Sequence, residues 1–95
     1  MAAYLIADID VHDPATFERY RTAVPALIAR HGGEYLVRGG ALEVVEGTWQ
    51  PKRIVVVKFP DKAAARAFLD DPEYQPVVEL RLRSATSHLI IVDGA

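Results

Sequence analysis

Arginines lead the side chains here that could do chemistry, and Arg81 is the hardest to read as an ordinary surface cation. On a helix begun at Pro72 it falls at the centre of the arc set by Tyr74, Val77 and Val78. A guanidinium aimed along an apolar face is costly unless an anion or a carbonyl meets it. Arg81 therefore reads either as an anion-binding residue or as a clamp on a neighbouring carboxylate. Arg38 precedes Gly39 and Gly40, whose lack of side chains lets a ligand or another backbone come close. Together with the two glycine amides it could seat an anion. The plainer reading, and the favoured one, has the glycines supplying positive φ at a bend while Arg38 pairs across a dimer. The stretch lacks the spacing and lysine of a phosphate-binding loop.

Trp49 and Arg53 flank a loop containing Pro51. The indole could line a pocket rim or stack on a guanidinium, but the plainer reading is a packing anchor against the partner subunit. Tyr20 and Tyr35 could each offer a hydroxyl to a ligand, although both stand where a core needs bulk. Tyr74 and His88 are the candidate acid–base groups. Asp8, Asp10 and His12 share one face of a strand at i, i+2 and i+4, a set suited to a hard or borderline divalent metal. Solvation of a strand end explains them as well and is the preferred reading, so no metal is assigned. His31 suits a helix C-terminus.

These residues need elements to hold them. Tyr4 to Val11 reads as a strand, and Asp13-Pro14 as an N-cap with proline at the first helical position. Phe17, Tyr20, Val24, Leu27, Ile28 and His31 then fall within a ~100° arc. Pro25 interrupts that helix, removing the bond to the Arg21 carbonyl and predicting a kink. Gly32-Gly33 ends it. Glu34 to Arg38 is a strand, Gly39-Gly40 a hairpin turn or a bulge, and Ala41 to Glu46 more strand. Ile54 to Phe59 is the clearest strand, bounded by Pro51 and Pro60. Asp61 caps an alanine-rich helix, Asp71-Pro72 repeats the cap-plus-proline signal and starts another turn or helix running to about Arg83, and Leu89 to Val92 is the last strand.

Strand, helix, two strands, broken helix, strand is the ferredoxin-like βαββαβ order, an α+β antiparallel sheet with helices on one face. The strands should then alternate, yet Leu5-Ile6-Ala7, Ile54 to Val57 and Leu89 to Val92 are apolar on both faces. No spare helix covers the open face. The expected cover is a second copy packed sheet to sheet with two-fold symmetry.

At 95 residues the chain is one domain, residues 1–95, 51% hydrophobic and 25% charged, which folds but gains from a partner. No apolar run could span a bilayer, and the N-terminus has no secretory pattern. Zero cysteines exclude a disulfide scaffold or thiol chemistry, and a net charge of −2 with mixed signs argues against nucleic acid. The expectation is a cytoplasmic protein.

The ordered set of short motifs resembles the domain of unknown function 1330 family, within the dimeric α/β-barrel superfamily. It comprises Asp13-Pro14, Tyr20, Val24-Pro25-Ala26, Gly32 to Gly40, Glu46-Gly47-x-Trp49 and Pro51-x-Arg53. Phe59-Pro60, Ala64-x-x-Ala67, Pro72-Glu73-Tyr74 and Arg81-x-Arg83 continue it across nearly the whole chain. A bulkier aromatic usual near Phe68-Leu69 and a serine at Asp70 are missing, and His88 lies outside the set. The resemblance implies a homodimer of ferredoxin-like protomers and no particular activity or cofactor. The wider superfamily includes cofactor-free monooxygenases, isomerases and haem enzymes, so it implies a range of chemistries.

The leading expectation is binding, extending to cofactor-independent conversion, of a small, partly apolar anionic or carbonyl compound between sheet and helices. Arg81 and Arg38 would fix its polar end, and Tyr20, Tyr35, Tyr74 and Phe17 would shape the rest. By analogy with the superfamily, conversion would be proton transfer or oxygenation, with Tyr74 or His88 as acid or base. The rival is a non-catalytic dimeric module with a self-filled pocket. A metal-dependent enzyme at Asp8, Asp10 and His12 is a third reading.

Overall fold

The computed structural model describes all residues from Met1 to Ala95. Its elements are β1 (Ala3–Val11), α1 (Pro14–Arg30), β2 (Glu34–Arg38), β3 (Ile54–Phe59), α2 (Lys62–Asp70), α3 (Tyr74–Ser84) and β4 (Ala85–Asp93). The strands form one antiparallel sheet in the order β2-β3-β1-β4. This is the ferredoxin-like α+β arrangement, with its second helix in two pieces. No helix is long and apolar enough to cross a membrane.

Local chemistry sets the helix ends. The Asp13 carboxylate accepts the Thr16 amide at 3.3 Å and the Thr16 hydroxyl at 2.7 Å, with Pro14 opening α1. Asp61 accepts the Ala64 amide at 2.8 Å and starts α2. Gly32, at φ +77°, turns the chain out of α1.

Three expectations need correction. Ala41 to Glu46 is not strand: the chain leaves the sheet after Arg38 and runs without regular structure to Arg53. Alternating apolar residues suit a strand, but a strand also needs a neighbour, and this segment pairs with none in its protomer. Gly39-Gly40 is neither a two-residue hairpin nor the bulge. The register shift falls between Tyr35 and Val37, while Gly39 bends the chain at φ +71°. Asp71 does not cap α3, which begins after Glu73 with no side-chain cap. Its carboxylate accepts the Glu73 amide at 2.9 Å, contacts His31 Nε2 at 2.8 Å and pairs with Arg30 at 3.2 Å. Asp71 thereby ties the C-terminal end of α1 to the corner between α2 and α3.

The last strand also begins earlier than its apolar run. Ala85 to His88 pair with Val11 to Asp8, because ladder hydrogen bonds extend β4 through polar residues as readily as through apolar ones. The sheet's inner face carries Ala3, Leu5, Ala7, Ile9, Val57 and Phe59, all buried. Phe68 stacks on Phe59 at 5.8 Å and meets Tyr74 at 4.5 Å, closing the core from the helix side. On the outer face Ile6 lies between Val56 and Ile90 in register, and Ile90 is 58% exposed.

Candidate functional site

Between the sheet and the helices lies a cavity of about 50 Å³. Of its 17 lining residues 13 are hydrophobic, and the other four are Arg21, Arg38, Arg53 and Arg81. No acid lines it. Four cations against none is a strong bias, so what each guanidinium already does decides what remains for a ligand.

Two are committed. Arg21 forms a fork on Glu18, with both bonds at 2.9 Å, and this holds the Glu18 carboxyl below its ordinary value. Arg38 Nη2 donates to the Arg21 main-chain carbonyl at 3.0 Å. That carbonyl lies four residues before Pro25, which has no N–H to give it. The helix runs on through Pro25, and a side chain from β2 fills the missing bond. Arg38 also lies over the Tyr35 ring, 4.6 Å from its centre.

Two are uncommitted. Arg81 is only 7% exposed, takes part in no ion pair, and its buried Nε has no partner. Its guanidinium carbon lies 5.7 Å from the centre of the Tyr20 ring. Arg53, just before β3, likewise has a buried Nε without a partner and lies 5.3 Å from the centre of the Phe17 ring. Its side chain crosses Gly39, where a Cβ would stand 3.0 Å from Arg53 Cζ. Aromatic faces offset part of the cost of such cations, but an empty buried N–H is uncommon and calls for an acceptor.

The hydroxyls of Tyr20 and Tyr74 meet at 3.2 Å beside Arg81. Burial, reinforced by Tyr74, pushes the Tyr20 phenol far above its ordinary value, with Arg81 pulling weakly the other way. Burial also raises the Tyr35 phenol, against the pull of Arg38. The cavity therefore offers guanidinium and neutral phenol donors. It has no lining carboxylate, imidazole or amine to take a proton from a substrate.

The structure thus brings together Arg38, Arg53, Arg81, Tyr20, Tyr35, Tyr74 and Phe17. It separates the others. Trp49 lies over the outer face of the sheet, 64% exposed, and its indole N–H donates to Asp8 at 3.0 Å. His88 stands opposite Asp8 in the β1–β4 register on that same outer face, whereas Tyr74 is buried on the inner side. The two candidate acid–base groups therefore do not share a site. The Gly39 amide donates to the Ile54 carbonyl at 2.8 Å and is spent. Asp8, Asp10 and His12 do not gather, and no group of three or more His, Asp or Glu side chains is placed to hold a metal ion. Arg21 was not among the expected lining residues. Its position four after Phe17 and three before Val24, on the helix face that lines the cavity, is the available signal.

The sequence matches the family described as domain of unknown function (DUF1330) over residues 2–95. The chain belongs to this family. None of the curated proteins matches it. Among solved structures this DUF1330 chain is similar to a protein of unknown function from Rhodopseudomonas palustris. Identity there is 17%, coverage 99% of this chain and 82% of that one, and the TM-score 0.81. It is also similar to SnoaB, a cofactor-independent oxygenase from Streptomyces nogalater, at 21% identity, 99% and 93% coverage and a TM-score of 0.65. A dimeric ferredoxin-like protein of unknown function from Thermobifida fusca follows at 16% identity, 99% and 92% coverage and a TM-score of 0.66. At these identities the likeness shows the fold alone.

Proposed function

We propose that the chain acts as a homodimer, joined through the outer face of its sheet, whose protomers each bind a small, partly apolar anion. The site is the cavity between sheet and helices. The observation that carries this reading is Arg81, a buried guanidinium with no ion pair and an unpartnered Nε at an apolar cavity. A cation so placed costs stability unless an acceptor arrives. Arg53 is the second donor, Arg38 closes the rim from its bond to the Arg21 carbonyl, and Phe17, Tyr20, Tyr35 and Tyr74 shape the apolar part. With donors and no base the site is suited to holding a negative charge and unsuited to creating one. The proposed activity is accordingly binding, and oxygenation is not carried over from SnoaB.

The dimer rests on the Ile6, Val56 and Ile90 row of the outer face and on the dimeric state of ferredoxin-like relatives such as the Thermobifida fusca protein. A cytoplasmic location goes with a chain of zero cysteines.

Volume favours the competing reading, a dimeric module that works through its surface. A cavity of about 50 Å³ is far below the roughly 300–1,000 Å³ of drug-sized sites. Native mass spectrometry of the untagged protein and of Arg81→Ala, each followed by denaturation, separates the two. A dimer carrying a small adduct that the variant lacks supports ligand binding. An adduct-free dimer supports the module.

A further inference from the structure

The volume that argues against a large ligand also defines a small one. Resting on the anion-binding reading above, we propose that the ligand is a short-chain monocarboxylate that enters already ionised. Three observations point to this class.

The first is size. A cavity of about 50 Å³ is several-fold smaller than the roughly 300–1,000 Å³ of drug-sized sites, which favours a short-chain acid over polycyclic or long-chain compounds.

The second is the donor set. Arg53 and Arg81 both line the cavity and neither is in an ion pair, and a carboxylate brings one negative charge with two acceptor oxygens. A tetrahedral phosphate is usually cradled by several backbone amides as well. The one glycine turn beside the cavity has its Gly39 amide spent on Ile54. Arg21 and Arg38 already hold Glu18 and the Arg21 carbonyl, which leaves Arg53 and Arg81 for one carboxylate and disfavours a diacid.

The third is the absence of a base among the lining residues. A compound that must lose a proton on the protein finds nothing there to take it. Carboxylic acids are ionised in neutral water without help.

Isothermal titration at neutral pH tests this with 2-methylpropanoate, its neutral amide 2-methylpropanamide, decanoate, 1-naphthoate and inorganic phosphate. Wild type and the variants Arg53→Gln and Arg81→Met are compared after circular dichroism has shown each to be folded. The expected result is binding of 2-methylpropanoate, no binding of the amide, and binding of decanoate, naphthoate and phosphate at least about tenfold weaker. Either variant should weaken 2-methylpropanoate by roughly tenfold or more, as loss of a hydrogen bond to a charged group does. If decanoate, naphthoate or phosphate binds more tightly than 2-methylpropanoate, and does so through Arg81, the short-acid class is overturned while the anion site stands. If no anion binds wild type, both readings fall.

Discussion

The Arg38 guanidinium donates to the Arg21 main-chain carbonyl at 3.0 Å, supplying from β2 the bond that Pro25 removes from α1. A proline inside a helix and an arginine on a strand are thus two halves of one arrangement. Arg38→Ala should lower stability in chemical denaturation by about 1 kcal/mol, the usual worth of one hydrogen bond. In a Pro25→Ala background, where residue 25 regains its N–H, most of that loss should vanish. Additive effects in the double-mutant cycle would show that the two residues act independently.

Gly39 and Gly40 are adjacent but not equivalent. Gly39 has φ +71° and lies against the Arg53 side chain, whereas a Cβ at Gly40 meets nothing within 4 Å. Gly39→Ala should cost about 1–2 kcal/mol through left-handed backbone strain and also displace Arg53, weakening anion binding. Gly40→Ala should change neither. Thermal unfolding together with anion titration of the two single variants checks both halves.

Asp71 makes stability depend on acid. The His31 contact, then the Glu73 amide and Arg30, hold its carboxyl below the ordinary 3.8. A depressed folded-state value means that the contribution is complete above that ordinary value and is lost as pH falls through the depressed one. Asp71→Asn should therefore lower Tm at neutral pH, and the gap to wild type should narrow as pH drops below 3.8. A gap that stays constant in a Tm series from neutral to strongly acidic pH would contradict this.

The outer face gives the dimer its own test. Ile90, in register with Ile6 and 58% exposed, should sit at the centre of the contact. Sedimentation should show wild type as a dimer and Ile90→Glu as a folded monomer, because a charge cannot be buried there unpaired. A wild-type monomer would refute the sheet-to-sheet arrangement.

The sequence made the elements legible where two signals agreed. Asp13-Pro14 and Asp61 mark helix starts because a cap side chain acts on its own neighbours, and Pro51 and Pro60 bound Ile54 to Phe59. It misled at Ala41 to Glu46 and at Asp71, where the outcome hangs on a partner distant in sequence: a neighbouring strand in one case, Arg30 and His31 in the other. For the site, helical periodicity alone placed Arg81 on the buried face, and the structure agrees. His88 and Trp49 were grouped with the cavity because linear order does not say which face of a sheet a residue occupies until the register is fixed. Pro25 marks the Arg21 carbonyl as needing a donor, but that donor, Arg38, comes from a strand later in the chain.

Whether Arg81 is held for a ligand or for the fold is decided by the Tm of Arg81→Met in anion-free buffer. A buried guanidinium with no ion pair and an empty Nε is a burden on the unliganded protein, and methionine fills similar space without a charge. If it is held for a ligand, Arg81→Met should be at least as stable as wild type and should no longer gain stability from added 2-methylpropanoate. A variant destabilised by about 3–5 kcal/mol, the cost of breaking a buried charge interaction, would assign Arg81 to the fold and contradict the account.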